Sequence, residues 1–211
     1  GDLAENLGQA FALFLLREQT DGSAMVVVVG RDMRESSVVF QRRLMDGLIK
    51  SGVRVLDIGL VSTPAFYFAV GHLGAHGGVM VSASHNPAQY NGFKLTRRNA
   101  VPVSGDTGIH EIAKMVEEAG DGIGNEAAVE GGSMESISGI PRLAAEAEFN
   151  HAGAHPIKKL KIVADAGNGM GAQYLDEFFT LISADVTRMF WEFDGSFPNH
   201  EADPFKEENT L

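Results

Sequence analysis

The residues best able to do chemistry lie in three short segments, each following an apolar run. Gly30-Arg31-Asp32 closes the run 26–29, Ser82-Ala83-Ser84-His85-Asn86-Pro87 closes a run that starts at Val79, and Asp165-Ala166-Gly167-Asn168-Gly169 closes the run 160–164. In open α/β sheets ligands sit beyond the carboxyl ends of strands, although a strand-end Gly or Asp is also ordinary turn chemistry. The serine segment is the most informative. A serine directly after a buried strand can expose its hydroxyl among backbone N–H donors. His85 beside it can donate a hydrogen bond or move a proton near neutral pH. Asn86-Pro87 sets the turn, and Asn91-Gly92-Phe93-Lys94 returns an ammonium towards the same place. Lys94, Arg31 and Arg34 are cations able to neutralise a phosphate held covalently on Ser84. The same residues also fit a blander arrangement, with Ser84 as a helix N-cap and Lys94 as a solvated side chain.

Other candidates carry less. The pairs His72/His76 and His151/His155 have H-x-x-x-H spacing, but neither is H-E-x-x-H, and both sit among helix-ending Gly or Pro residues. Solvated histidines in turns are expected there, not a zinc pair. The glycines at 167, 169 and 171 have the wrong spacing for a G-x-G-x-x-G dinucleotide fingerprint. Asp194 to His200 is rich in turn residues and serves either as a structural loop or as a cleft wall. Trp191, ending an apolar strand, is expected in the core. With no cysteine in the chain there is no thiol nucleophile, thiolate metal site or disulfide. Without a G-x-S-x-G elbow, a Ser-His-Asp hydrolase is not supported.

The elements that position these segments alternate between helix and strand. Residues 4–18 place apolar side chains at 7, 10, 11, 14 and 15, a helical spacing. A strand follows at 26–29, then a helix from an N-cap at Ser36 or Ser37 to Lys50, stopped by Gly52. Strands are expected at 53–58 and 79–82, and helices at 64–70 and 109–116. From Gly120 to Gly139 the sequence becomes Gly-, Ser- and Glu-rich with no apolar period, which reads as a long connector. A short helix after Pro141, a break at 151–156, a strand at 160–164, a helix at 171–182 and a strand at 186–191 complete the pattern. The class is α/β, with a largely parallel mixed sheet flanked by helices. A first domain at 1–155 is followed by the opening β-α-β of a second, similar domain at 156–211, which is expected to be truncated.

The chain has 211 residues and 44% apolar content, enough for a sizeable core. Lys+Arg 17 against Asp+Glu 28 gives a net charge of −11, which argues against non-specific nucleic-acid binding. It leaves room for a small anionic substrate, because that depends on local charge. The apolar runs are too short for a membrane span, which needs roughly 20 residues, and no signal peptide is recognisable. A cytoplasmic location is the expectation.

Ser82-Ala-Ser-His-Asn-Pro87 followed by Tyr90-Asn-Gly-Phe-Lys94 resembles the active-site serine loop of the α-D-phosphohexomutases, in particular the phosphomannomutase/phosphoglucomutase branch. Gly30-Arg-Asp32 with Ser36 resembles that family's first arginine loop, and Ser62-Thr-Pro64 its strand-to-helix junction. Asp165-Ala-Gly-Asn-Gly169 and Asp194-Gly-Ser-Phe-Pro-Asn-His200 resemble the opening of its second domain. The motifs occur in family order. The resemblance implies a phosphoserine at Ser84 that exchanges its phosphate with a hexose 1- or 6-phosphate through a hexose 1,6-bisphosphate. Arg31, Lys94 and His85 would assist the transfer, and Asn86, Arg34 and Asn91 would contact substrate. The implied cofactor is Mg²⁺, bound through the Ser84 phosphate; the family's Asp-Gly-Asp-x-Asp-Arg metal segment does not occur in this sequence. The family's later domains and its segment before the first helix are likewise missing. The chain by itself is therefore expected to be inactive, with the missing C-terminal domains as its partners. Phosphoglucosamine mutase, a non-catalytic phosphosugar-binding fragment and a phosphate-releasing hydrolase are the alternatives.

Overall fold

The computed structural model describes residues 2–20, 22–118, 131–154, 158–203 and 205–209. Its first unit opens with helix α1 (Leu3–Glu18), whose N-terminus is capped by the Asp2 side chain accepting from Ala4 N–H at 3.1 Å. Then come β1 (Val26–Arg31), α2 (Glu35–Lys50), β2 (Arg54–Leu60), α3 (Thr63–His72), β3 (Gly77–Val81) and β4 (Phe93–Arg97). Helix α4 (Ile109–Glu118), strand β5 (Ser133–Ser136) and helix α5 (Ile140–His151) follow. The sheet order is β4-β3-β1-β2-β5, parallel except for β4. The mixed, mostly parallel α/β class expected from the alternation is what the chain adopts.

Strand alternation sorts the core into two layers. Val27, Val29, Val79 and Val81 point to one face, where they meet Phe11, Phe14 and Leu15 of α1, Leu44 and Leu48 of α2, and Ile112 of α4. Val28, Leu56, Ile58 and Met80 point to the other, against Phe66 and Val70 of α3 and Ile140 and Ala144 of α5. Helices α1 and α2 touch backbone to backbone: a Cβ on Gly47 would lie 2.0 Å from the Glu5 carbonyl, and one on Gly8 2.3 Å from the Leu44 carbonyl. The second unit is β6 (Leu160–Asp165), α6 (Gly171–Phe179) and β7 (Ala184–Met189), with β6 and β7 parallel. Its helix packs beside α5, and Gln173 Nε2 donates to Leu60 O at 2.8 Å.

Several expectations need correction. Neither Ser36 nor Ser37 is an N-cap. Arg34 takes that position without a side-chain bond, and both serines lie inside the first turn. The connector expected over 120–139 contains β5, which is exposed throughout and held by pairing with β2. Its remainder over 120–130 lies outside the described residues, as do His155, Pro156 and the domain boundary placed there. Trp191 is half-buried instead of core: it stacks on Phe179 and donates to Asp176 Oδ2 at 3.0 Å. His76 is not merely solvated, since it accepts from Val26 N–H through Nδ1 and bonds Ser23 Oγ through Nε2. Among the described residues no helix is long and apolar enough to cross a membrane.

Candidate active site

Strand order places the chemistry. From β1 the chain crosses through α2 to β2 on one side, then through α3 back across β1 to β3 on the other. The two crossover helices lie on opposite faces, so a crevice opens between the carboxyl ends of β1 and β3, the topological switch point. The Asp32 and serine segments meet there, stitched by Asp32 N–H donating to Val81 O at 3.0 Å.

Ser84 stands at the crevice with its residue exposed and a φ of 56°. A left-handed conformation costs a non-glycine residue on the order of 1–2 kcal/mol, so surrounding bonds must impose it. Ser84 N–H donates to Ser82 Oγ at 3.0 Å, and Asn86 N–H and Nδ2 both donate to Ala83 O, at 3.1 and 2.9 Å. Ser84 is thus not a helix cap: no helix follows, and the loop turns back through Pro87 and Tyr90 into β4. The antiparallel register sets Lys94 directly opposite Met80, so both side chains share one sheet face.

Ser84, His85 and Lys94 line a single cleft of about 1010 Å³. Ser62, Thr63 and Pro64, at the capped start of α3, form part of one wall. The second unit supplies further lining: Asp165 at the end of β6, Gly167 and Gly169 beyond it, and Phe197, His200 and Glu201 after β7. The 194–200 segment, expected either as a structural loop or as a cleft wall, lines the cleft through Phe197 and His200. His200 donates through Nδ1 to Glu201 O at 2.9 Å and faces both Asp165 carboxylate oxygens through Nε2 at 3.3 Å. Both ring nitrogens meet acceptors, so its pKa rises, first through the Glu201 carbonyl and then through Asp165, with burial opposing.

The remaining residues proposed from sequence behave differently. Arg31 is not among the cleft-lining residues and donates to its neighbour's carbonyl, Asp32 O, at 3.1 Å. Asn91 Nδ2 donates to Ser36 Oγ and Ser37 Oγ at 2.8 and 2.9 Å, while its Oδ1 accepts from Gly92 N–H, so it pins the loop to α2. Asn86 turns its side chain onto its own loop. Arg34, expected to face substrate, is 1% exposed. Its Nε donates to Asp32 Oδ2 at 3.2 Å; one terminal nitrogen donates to Pro87 O and Tyr90 O, the other to Ser84 O and Asn86 O. A guanidinium has five N–H donors, and every one is committed. The other carboxylate oxygen of Asp32 accepts from Arg34 N–H and Ser37 Oγ. Sequence reading missed this cluster; Asp32 and Arg34 at i and i+2 carried no sign that the pair is buried. The 165–169 and 194–200 segments, both singled out in the sequence, reach the cleft, but the pairing of Asp165 with His200 joins residues 35 apart and had no signal in either segment alone.

Among the described residues no three His, Asp or Glu side chains are arranged to hold a metal ion. Of the carboxylates lining the cleft, Asp32 has both oxygens committed to Arg34 and Ser37, and Asp165 faces His200. The residues described here therefore do not by themselves make a Mg²⁺ site.

Fold and site together define an α/β protein with a strained, exposed serine over a cleft that holds a lysine and a histidine. The family described as phosphoglucomutase/phosphomannomutase, alpha/beta/alpha domain I, matches residues 1–121. This range contains every first-unit loop named above. Among relatives, the chain is 38% identical over 208 residues to phosphohexose mutases of Xanthomonas campestris pv. campestris, covering 99% of this chain and 44% of that protein. It is 36% identical over 210 residues to a phosphomannomutase of Vibrio cholerae, covering 96% and 43%. A crystal structure of a phosphoglucomutase/phosphomannomutase family protein from Burkholderia thailandensis superposes with a TM-score of 0.79 at 32% identity, covering 99% of this chain and 44% of that one. The chain belongs to the phosphoglucomutase/phosphomannomutase family. It spans less than half the length of the relatives it matches.

Proposed function

We propose that this chain supplies the phosphoserine half of a hexose-phosphate mutase. The observation that supports the reading most directly is Ser84 itself: exposed, held at positive φ, and sharing one cleft with Lys94 and His85. In the forward step a hydroxyl oxygen of a hexose phosphate attacks the phosphorus on Ser84. The new O–P bond forms as the Ser84 Oγ–P bond breaks, and the hydroxyl proton passes to His85 or to the departing serine oxygen. The resulting hexose bisphosphate turns over, and its other phosphate returns to Ser84 by the reverse of the same exchange. Such transfers depend mainly on positioning and charge stabilisation. Lys94 meets the charge on the transferring group, and His85 holds or moves the proton.

No step is assigned to a metal ion. Mg²⁺, if carried, would take a Ser84 phosphate oxygen as one ligand and draw the others from outside these residues.

The test is peptide mass spectrometry after incubation with glucose 1,6-bisphosphate. One phosphate is expected on Ser84 and none in Ser84→Ala. Modification confined to another serine refutes the reading.

A further inference from the structure

We propose that Arg34 is the positioning residue that sets Ser84 for phosphoryl transfer, and that Phe197 couples this hold to the seating of the 194–200 segment; the proposal rests on Ser84 being the phosphoryl carrier. Four loop carbonyls, those of Ser84, Asn86, Pro87 and Tyr90, converge on one guanidinium. A trans peptide points its C=O and the next N–H in opposite directions. There are no cis peptides among the described residues, so drawing the Ser84 carbonyl inward turns the His85 N–H outward, on the side away from Arg34. Of the four inward carbonyls, those of Ser84, Pro87 and Tyr90 are each followed by an N–H turned outward, while Asn86 precedes Pro87 and presents none; outward amides of this kind are the arrangement that binds phosphate oxygens. The same bonds oppose relaxation of Ser84 from its positive φ.

Arg34 also meets the second unit. Its guanidinium carbon lies 5.2 Å from the Phe197 ring centroid. Gly195 sits so close that a Cβ there would be 3.0 Å from Arg34 Cα and 3.3 Å from Met33 O. Phe197 itself has a φ of 53° and lines the cleft. A displaced 194–200 segment would therefore uncover the guanidinium and admit water to compete for the four carbonyls.

The test compares Arg34→Lys and Phe197→Leu with the parent 211-residue chain. Lysine keeps the charge but has three donors on one nitrogen and cannot span Asp32 and four carbonyls. Arg34→Lys should speed hydrogen exchange of the Ser84, Asn86 and Tyr90 amides on the order of 10- to 100-fold, as expected for losing one or two charge-assisted bonds. Ser84 phosphorylation by glucose 1,6-bisphosphate should slow by a similar factor at full labelling amplitude and unchanged half-saturating concentration, whereas a merely destabilised fold lowers the amplitude or raises that concentration. Phe197→Leu should move both readouts the same way, less strongly. Unchanged exchange over 84–90 in a folded Arg34→Lys protein overturns the proposal. If that variant does not fold, unchanged exchange in Phe197→Leu overturns the coupling. A parent chain that never takes phosphate on Ser84 refutes the mutase reading instead, while exchange still decides whether Arg34 sets the loop.

Discussion

Replacing Lys94 with alanine separates a charge that stabilises phosphoryl transfer from a merely solvated side chain. Lys94 lies on β4, the antiparallel edge of the sheet, half-buried and facing the cleft. No carboxylate pairs with it among the described residues, so its ammonium is available to an anion. The structural cost of truncation is small. It removes an aliphatic stem from an edge strand and breaks no ion pair, worth about 0.5–1 kcal/mol. For a chain of this size that lowers Tm by no more than about 2–4 °C. The chemical cost is larger. A donor aimed at developing charge in a cleft is worth about 2.7–4 kcal/mol, or roughly 10²–10³ in rate. The two effects differ several-fold in free energy and are read by different experiments. Single-turnover phosphorylation of Ser84 by glucose 1,6-bisphosphate, followed by intact mass, gives the rate, and differential scanning fluorimetry gives the stability. The expected result is a rate loss of about two orders of magnitude with a melting shift of a few degrees. Lys94→Arg should recover part of the rate, since it restores charge with a different shape. A Lys94→Ala protein that labels Ser84 as fast as the parent would refute the assignment.

Two further outcomes follow from the packing and the cleft. Gly47→Ala would gain about 1 kcal/mol of helix propensity in isolation, yet its Cβ would meet the Glu5 carbonyl at 2.0 Å. Parting α1 from α2 costs more than that gain, so a net loss of about 1–3 kcal/mol is expected in urea denaturation; equal or higher stability would contradict the close approach. His200 has a raised pKa because Glu201 O and Asp165 accept from its ring, so its contribution is complete below the ordinary value of about 6.5 and is lost as pH rises through the folded value. The stability difference between the parent and His200→Gln, at most about 1 kcal/mol for a partly exposed pair, should be largest below about pH 6.5 and shrink as pH rises above it. A difference that grows with pH would reverse the sign of the argument.

Local chemistry was legible in the chain because it is written in contiguous residues. The strand-end position of Ser84, the return of Lys94 after Asn91-Gly92, a short helix opened by Pro64, and the β-α-β of the second unit all follow from short-range pattern. Ser133–Ser136 did not, because nothing in Ser-Met-Glu-Ser prefers a strand; the unpaired edge of β2 supplies the partner that makes it one. Trp191 read as core because its run is apolar, but the β6–β7 sheet leaves it half-exposed beside Arg188. The roles of the arginines were decided entirely by tertiary structure. Arg31 and Arg34 are the same residue type three positions apart, and either could have faced a phosphate. Strand order puts β3 beside β1, which carries the serine loop over Arg34 and buries it against Asp32, while Arg31 stays off the cleft. A guanidinium's function depends on which acceptors surround it, and here those acceptors are carbonyls 50 to 56 residues away along the chain.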